Sequence, residues 1–263
     1  MARWVIVALV WGVACAPASA ADLTEAAIRA YDEYFAAARK DFVARATGDA
    51  PGRRAERDAP GVDRGVVRPA SGDGILSKPN SLVHHWRGEI FMPGVSLDQV
   101  MAISQAYAEY PRIFKPIQAA TVLPAAGDGF HVLFRMKSSA GGLSATLDLR
   151  TRIRWVRLDE QRAYVVSASE EIREVANAGR PSERLLPEGH DSGYLWRAAS
   201  MTRFAASDGG VWMVMETVGL SRPFPPLLGW AIEPFARRVG RSSVEDSMTE
   251  FAQAVRDRSK LKP

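Results

Sequence analysis

Two long runs of alternating apolar and polar residues, GYLWRAASMTRF and VWMVMETVGL, stand on either side of Ala206-Ser207-Asp208-Gly209-Gly210. Asp-Gly-Gly supplies positive φ at low steric cost, so the pattern predicts a β-hairpin. Ser221 to Pro226 (SRPFPP) then stops the second strand, because proline cannot donate to a ladder. Beyond it the period becomes helical, with Val244, Met248, Phe251, Ala252 and Val255 on one stripe. Ser242 and Glu245 form an S-x-x-E capping box that predicts the start of this last helix. A long hairpin feeding an amphipathic helix predicts a curved sheet with a helix across its concave side.

The same two periods divide the rest of the chain. From Asp22 to Ala46, Leu23, Ala27, Tyr31, Tyr34, Phe35, Ala38 and Phe42 make one apolar helical stripe, a docking face. Thr47 to Asp63 holds almost no apolar residue and reads as a linker. Gly65 to Arg68, the turn Ser71–Gly74 and Ile75-Leu76 predict a short hairpin. In SLVHHWRGEIFMPG, Leu82, His84, Trp86, Ile90 and Met92 share one strand face, and His85, Arg87 and Glu89 the other. Ser96 caps a following helix, and Tyr110-Pro111 opens a short second one. Phe130, Val132, Phe134 and Met136 then alternate with His131, Arg135 and Lys137. In LSATLDLRTRIRWVRLD, Leu147, Leu149, Ile153 and Trp155 oppose a row of Asp148, Arg150, Arg152 and Arg154, the solvated face of an antiparallel strand. Ala163 to Val175 predicts another strand, and Asn177 to Ser192 a polar loop with two prolines and His190.

Composition changes this picture in one respect, the compartment. Arg3, the apolar run Trp4 to Ala14 and the small residues Ala18-Ser19-Ala20 make an export signal cleaved before Ala21. No twin-arginine pair is present, so the route is Sec-type. The single cysteine, Cys15, lies in the signal, with Gly12 where a lipobox carries leucine. The mature chain is then free of cysteine and relies on its core, which fits a bacterial periplasm. A formal charge of only +4, dispersed along 263 residues, argues against nucleic acid as a partner. After the signal no stretch is long and apolar enough to span a bilayer.

The element order, with the textures HHWRGEIFMPGVSLDQVM, YLWRAASMTRF and GGVWMVMETVGLSRPFP and the closing helix, resembles the START/polyketide-cyclase-like (SRPBCC) superfamily. The resemblance covers roughly Leu82 to Arg258. It implies an α+β helix-grip fold: a curved antiparallel sheet of about six or seven strands wrapped on a long C-terminal helix. It also implies a hydrophobic cavity between them, for a lipid, a sterol or a polycyclic compound. The organisation expected is a signal peptide (1–20), an N-terminal amphipathic helix (21–46), a linker with a short hairpin (47–80), the helix-grip domain (81–258) and a tail (259–263). The N-terminal helix and linker lie outside the resemblance.

The chemistry of the residues points to binding more than to catalysis. Adjacent His84 and His85 face opposite sides of a strand and cannot chelate one metal together, and no metal site or cofactor is assigned. His84 reads as a hydrogen-bonded interior residue. There is no H-E-x-x-H, G-x-S-x-G, P-loop or dinucleotide fingerprint. Glu216 is the one carboxylate to consider for catalysis, sharing a strand face with Trp212, Val214, Val218 and Leu220. If that face lines the cavity, Glu216 is a buried acid in need of a partner; the other reading is an outward face or an ion pair. The expected ligand-binding set is His84, Trp86, Phe134, Met136, Trp155, Trp212, Glu216, Phe224, Trp230 and Phe235. The reading is therefore an exported binder or carrier of a hydrophobic molecule. The alternatives are a cyclase or hydrolase-like enzyme on a polycyclic substrate, or a partner-binding module whose cavity is filled by side chains. Arg237, Arg238 and Arg241 offer positive charge toward an anionic head group or membrane surface, or are simply solvated.

Overall fold

The computed structural model describes residues 21–48, 65–124, 129–140, 143–225 and 229–260. The expected export signal with Cys15, most of the linker and the end of the tail lie outside the described residues. In chain order the elements are β1 (Ala21–Asp22), α1 (Glu25–Thr47), β2 (Val66–Pro69), β3 (Ile75–Lys78), β4 (Ser81–Pro93), α2 (Leu97–Ser104), a 3-10 turn (Tyr107–Glu109), α3 (Tyr110–Ile113) and β5 (Ile117–Leu123). There follow β6 (Phe130–Ala140), β7 (Leu143–Arg157), β8 (Arg162–Ala176), β9 (Arg184–Leu185), β10 (His190–Asp191), β11 (Arg197–Ser207), β12 (Gly210–Ser221) and α4 (Gly229–Lys260).

Among the described residues one antiparallel sheet of ten strands runs β2-β4-β12-β11-β8-β7-β6-β5, with β3 also on β4 and β9 on β8. The β11–β12 hairpin closes where the pattern predicted. Ser207 pairs with Gly210 across Asp208 and Gly209, which have φ of 60° and 77°. Both φ values are positive, as a type I′ turn requires. The sheet exceeds the six or seven strands expected because β2, β3 and β9 are too short to register a period of two. β5, with the sequence IQAATVL, does not alternate at all. The hairpin expected between 65–68 and 75–76 does not form. β2 and β3 instead lie end to end along one edge of β4, facing Trp86–Glu89 and Ser81–His84 respectively.

The long helix α4 lies across the concave face, its Val244, Met248, Phe251, Ala252 and Val255 buried against β4, α2 and β11 residues. It begins at Gly229, not at Ser242, and passes through the expected capping box without a break. Ser242 Oγ donates back to the carbonyl of Val239, as an interior helical serine does. The upstream turns continue because Ile232, Phe235, Ala236 and Val239 extend an apolar stripe of their own toward the sheet.

The convex face is not left to solvent. α1 packs over it through Tyr31, Phe42 and Ala46, against Val83, Trp196, Met201, Val218 and Leu220. Thr24 caps α1 by accepting from the amide of Ala27. Tyr31 donates from its hydroxyl to the Val218 carbonyl, so the helix is fixed to the sheet by polar as well as apolar contacts. Strands β4 and β12 are therefore covered on both sides, and Val83 is buried as completely as Met92. Farther along the sheet, on β7, Arg150, Arg152 and Arg154 are exposed, as their alternation with buried Leu149 and Ile153 predicts.

Candidate functional site

Between the sheet and α4 lies an open cavity of about 1050 Å³. The register sets its walls. Met213, Phe204 and Ala163 form one cross-strand row, Met215, Thr202 and Val165 the next, and Thr217, Ser200 and Ser167 the third. Each row contributes side chains to the cavity wall, because residues paired across antiparallel strands share a face. One end is aromatic. Trp155 stacks on Phe204 with centroids 5.9 Å apart, and its indole N–H donates to the Tyr107 hydroxyl at 2.9 Å. Tyr110 stacks on Phe134 and donates to the carbonyl of Ser104 at 2.6 Å. Burial pushes the Tyr107 hydroxyl up to about 12 and raises Tyr110 further, so both are neutral.

The other end is polar and lies beside Arg222 to Pro225 and the first turns of α4. His84 Nε2 lies 2.8 Å from Ser221 Oγ, and burial takes the imidazole down to about 4, so it is neutral near pH 7. The Ser221 hydroxyl also faces the Arg222 carbonyl at 3.2 Å. Glu174 and the hydrogen-bonded pair Ser138 and Tyr194, 2.6 Å apart, complete this end. Trp86 Nε1 is buried in the wall without a hydrogen-bond partner among the described residues. What this arrangement can do is exclude water from an apolar body and offer hydrogen bonds to a polar tip. Among the described residues no group of His, Cys, Asp or Glu is placed to hold a metal ion, and no helix is long and apolar enough to cross a membrane.

Of the residues singled out in the sequence, His84, Trp86, Phe134, Met136, Trp155, Phe224 and Phe235 come together around the cavity. Trp212, Glu216 and Trp230 do not. Trp212 and Glu216 occupy the even positions of β12, which face α1, whereas Met213, Met215, Thr217 and Gly219 face the cavity. Trp212 packs on Phe91 at 5.0 Å, and Trp230 is 79% exposed at the start of α4. Glu216 is 2% exposed and accepts two hydrogen bonds from Arg45 of α1, at 2.8 and 3.0 Å. His85 Nε2 and Arg87 lie 3.6 and 3.8 Å from its oxygens. Burial pushes this carboxyl up, but His85, Arg45 and Arg87 more than offset that and hold it below the usual carboxylate range. It is an ion-paired tie between helix and sheet, the outward reading of the two that the sequence left open. Sequence reasoning missed Tyr107, Tyr110, Glu174, Tyr194 and Arg222. The odd-numbered methionines of β12 carried the signal, since they alternate with the face that Glu216 drew attention to.

A curved antiparallel sheet closed by one long C-terminal helix, with a cavity between them, defines a helix-grip protein. Solved structures similar to the chain include the STAR-related lipid transfer protein from Xanthomonas axonopodis, at TM-score 0.46 and 13% identity over 70% of this chain and 99% of that one. Human STARD10 has a TM-score of 0.45 and 9% identity, over 74% of this chain and 78% of that one. The Zhui aromatase/cyclase from a Streptomyces species has a TM-score of 0.41 and 13% identity, over 68% and 97%. At these values the likeness is one of backbone outline and says nothing of ligand or chemistry. No family model and no curated protein sequence matches the chain.

Proposed function

We propose that this protein is exported and binds, as a carrier, a hydrophobic small molecule of lipid type between the sheet and α4. The observation that carries this reading is the cavity of about 1050 Å³, walled mainly by aromatic and aliphatic side chains. Each buried methylene contributes about 0.8 kcal/mol, so fifteen contribute roughly 12 kcal/mol. Association costs of about 4 kcal/mol leave roughly 8, a micromolar affinity. Titration with unbranched alkanols, followed by tryptophan fluorescence, tests it, because Trp86 and Trp155 line the cavity. Affinity should rise about fourfold per methylene until the space is full and depend little on salt. A flat response along the series, with no lipid mass copurifying in native mass spectrometry, sinks the proposal. The enzyme alternative loses Glu216 as its acid, since that carboxylate is held by Arg45 behind the sheet. Export rests on the Ala18-Ser19-Ala20 motif, and intact mass of the mature protein should place its first residue at Ala21; retention of Met1 would overturn it.

A further inference from the structure

This inference rests on the cavity being a ligand site and concerns which head group it takes. Among the described residues Glu174 is the acidic and Arg222 the basic side chain that lines the cavity, and buried His84 is neutral. Both are held at the polar end by one turn. The amide of Ser192 donates to Glu174 Oε2 at 3.0 Å, and the amide of Arg222 donates to the carbonyl of Gly193 at 2.9 Å. The stem of Arg222 packs on Gly193 so closely that a Cβ there would meet it at 2.7 Å. The two charges flank the same turn, yet they do not pair with each other. Among the described residues the Arg222 guanidinium has no hydrogen bond or ion pair, and no cation pairs with Glu174. Two other partly buried arginines are paired, Arg135 with Asp148 and Arg45 with Glu216.

We infer that the ligand is an amphipath with a zwitterionic head, its cationic group on Glu174 and its anionic group on Arg222. A cation alone meets Arg222 unfavourably, and an anion alone meets Glu174; a zwitterion satisfies both. Tyr194, in the same turn and on the cavity wall, presents an aromatic ring suited to an ammonium group. The tail then points to the aromatic end at Trp155 and Tyr107. Glu174 pairs across the sheet with Leu147, and Val165 with Trp155, eight residues farther along β7. That separation is about 27 Å at 3.4 Å per residue, room for a long chain.

The test uses four probes with one tail: dodecylphosphocholine, dodecyltrimethylammonium, dodecanoate and dodecanol, each below its micellar concentration at low ionic strength. Isothermal titration of the mature protein should rank dodecylphosphocholine first. Glu174→Gln should weaken the phosphocholine and trimethylammonium probes about three- to fivefold more than it weakens dodecanol. Arg222→Gln should weaken the phosphocholine and dodecanoate probes by a similar factor and spare trimethylammonium. An unchanged far-UV circular dichroism spectrum and thermal midpoint certify that each variant is folded. Equal affinity for all four heads in the unmodified protein, or a ranking that neither substitution alters, overturns the zwitterion while leaving the cavity a binding site. Failure of dodecanol itself to bind overturns the cavity reading and this inference with it.

Discussion

His84 is exchanged on unfolding from a buried site beside Ser221 into water, and its proton affinity changes with it. Its folded pKa is depressed from 6.5 to about 4, so the unfolded chain binds the proton first as pH falls. The stability that this neutral imidazole preserves is fully present above pH 6.5 and is lost as pH falls toward 4. Between pH 7 and pH 5 the loss should be on the order of 2 kcal/mol. That window lies above the range in which ion-paired carboxylates such as Glu216 titrate. Urea unfolding at the two pH values should therefore show a smaller fall for His84→Gln than for the unmodified protein. An equal fall would mean that His84 is solvated or charged in the folded state. At this scale the alternation along β4 correctly grouped His84 with Trp86 and opposed both to His85. It grouped Trp212 with Glu216 equally well, but their face proved to be the one under α1. A period of two states which side chains share a face; it does not say which face encloses a cavity.

Among the elements, α4 shows most clearly how packing overrides local signals. Ser242 and Glu245 have the spacing of a helix start, yet the helix begins at Gly229, with Pro234 inside it. Its first turns are held to the sheet side by the ion pair of Arg237 with Asp73. Gly240 marks where the helix comes closest to the wall: a Cβ there would lie 2.5 Å from Trp86 Nε1. The indole has no room to retreat, because a Cβ at Gly74 would meet its other edge at 2.5 Å. Gly240→Ala should therefore destabilise, even though alanine is the better helix former by about 1 kcal/mol. Overpacking at about 1–3 kcal/mol outweighs that gain, for a net loss of roughly 1 kcal/mol. Thermal unfolding of the variant checks this, and a higher midpoint would show that Trp86 yields more readily than the geometry allows.

For the molecule as a whole, the sequence by itself determined the helices at both ends, the long strands, the β11–β12 turn and the α+β class. These rest on local causes: hydrophobic period, capping residues and the positive φ that Asp208-Gly209 accepts. Seven of the ten side chains assigned to the site also surround the cavity, six of them on strand faces or a helix turn and Phe224 on the segment between β12 and α4. Tertiary structure alone decided the rest. The pairing of β2 and β3 with β4 is non-local, and strands of four residues are too short to announce their partners. Nothing in the alternation of β12 distinguishes its two sides, since α1 makes the convex side as dry as the concave one. That second layer converted Glu216 from a cavity candidate into a tie to Arg45 and left Glu174 and Arg222 facing the cavity. Their meeting at the Ser192–Gly193 turn depends on three separate chain segments converging, and no local pattern records such a convergence.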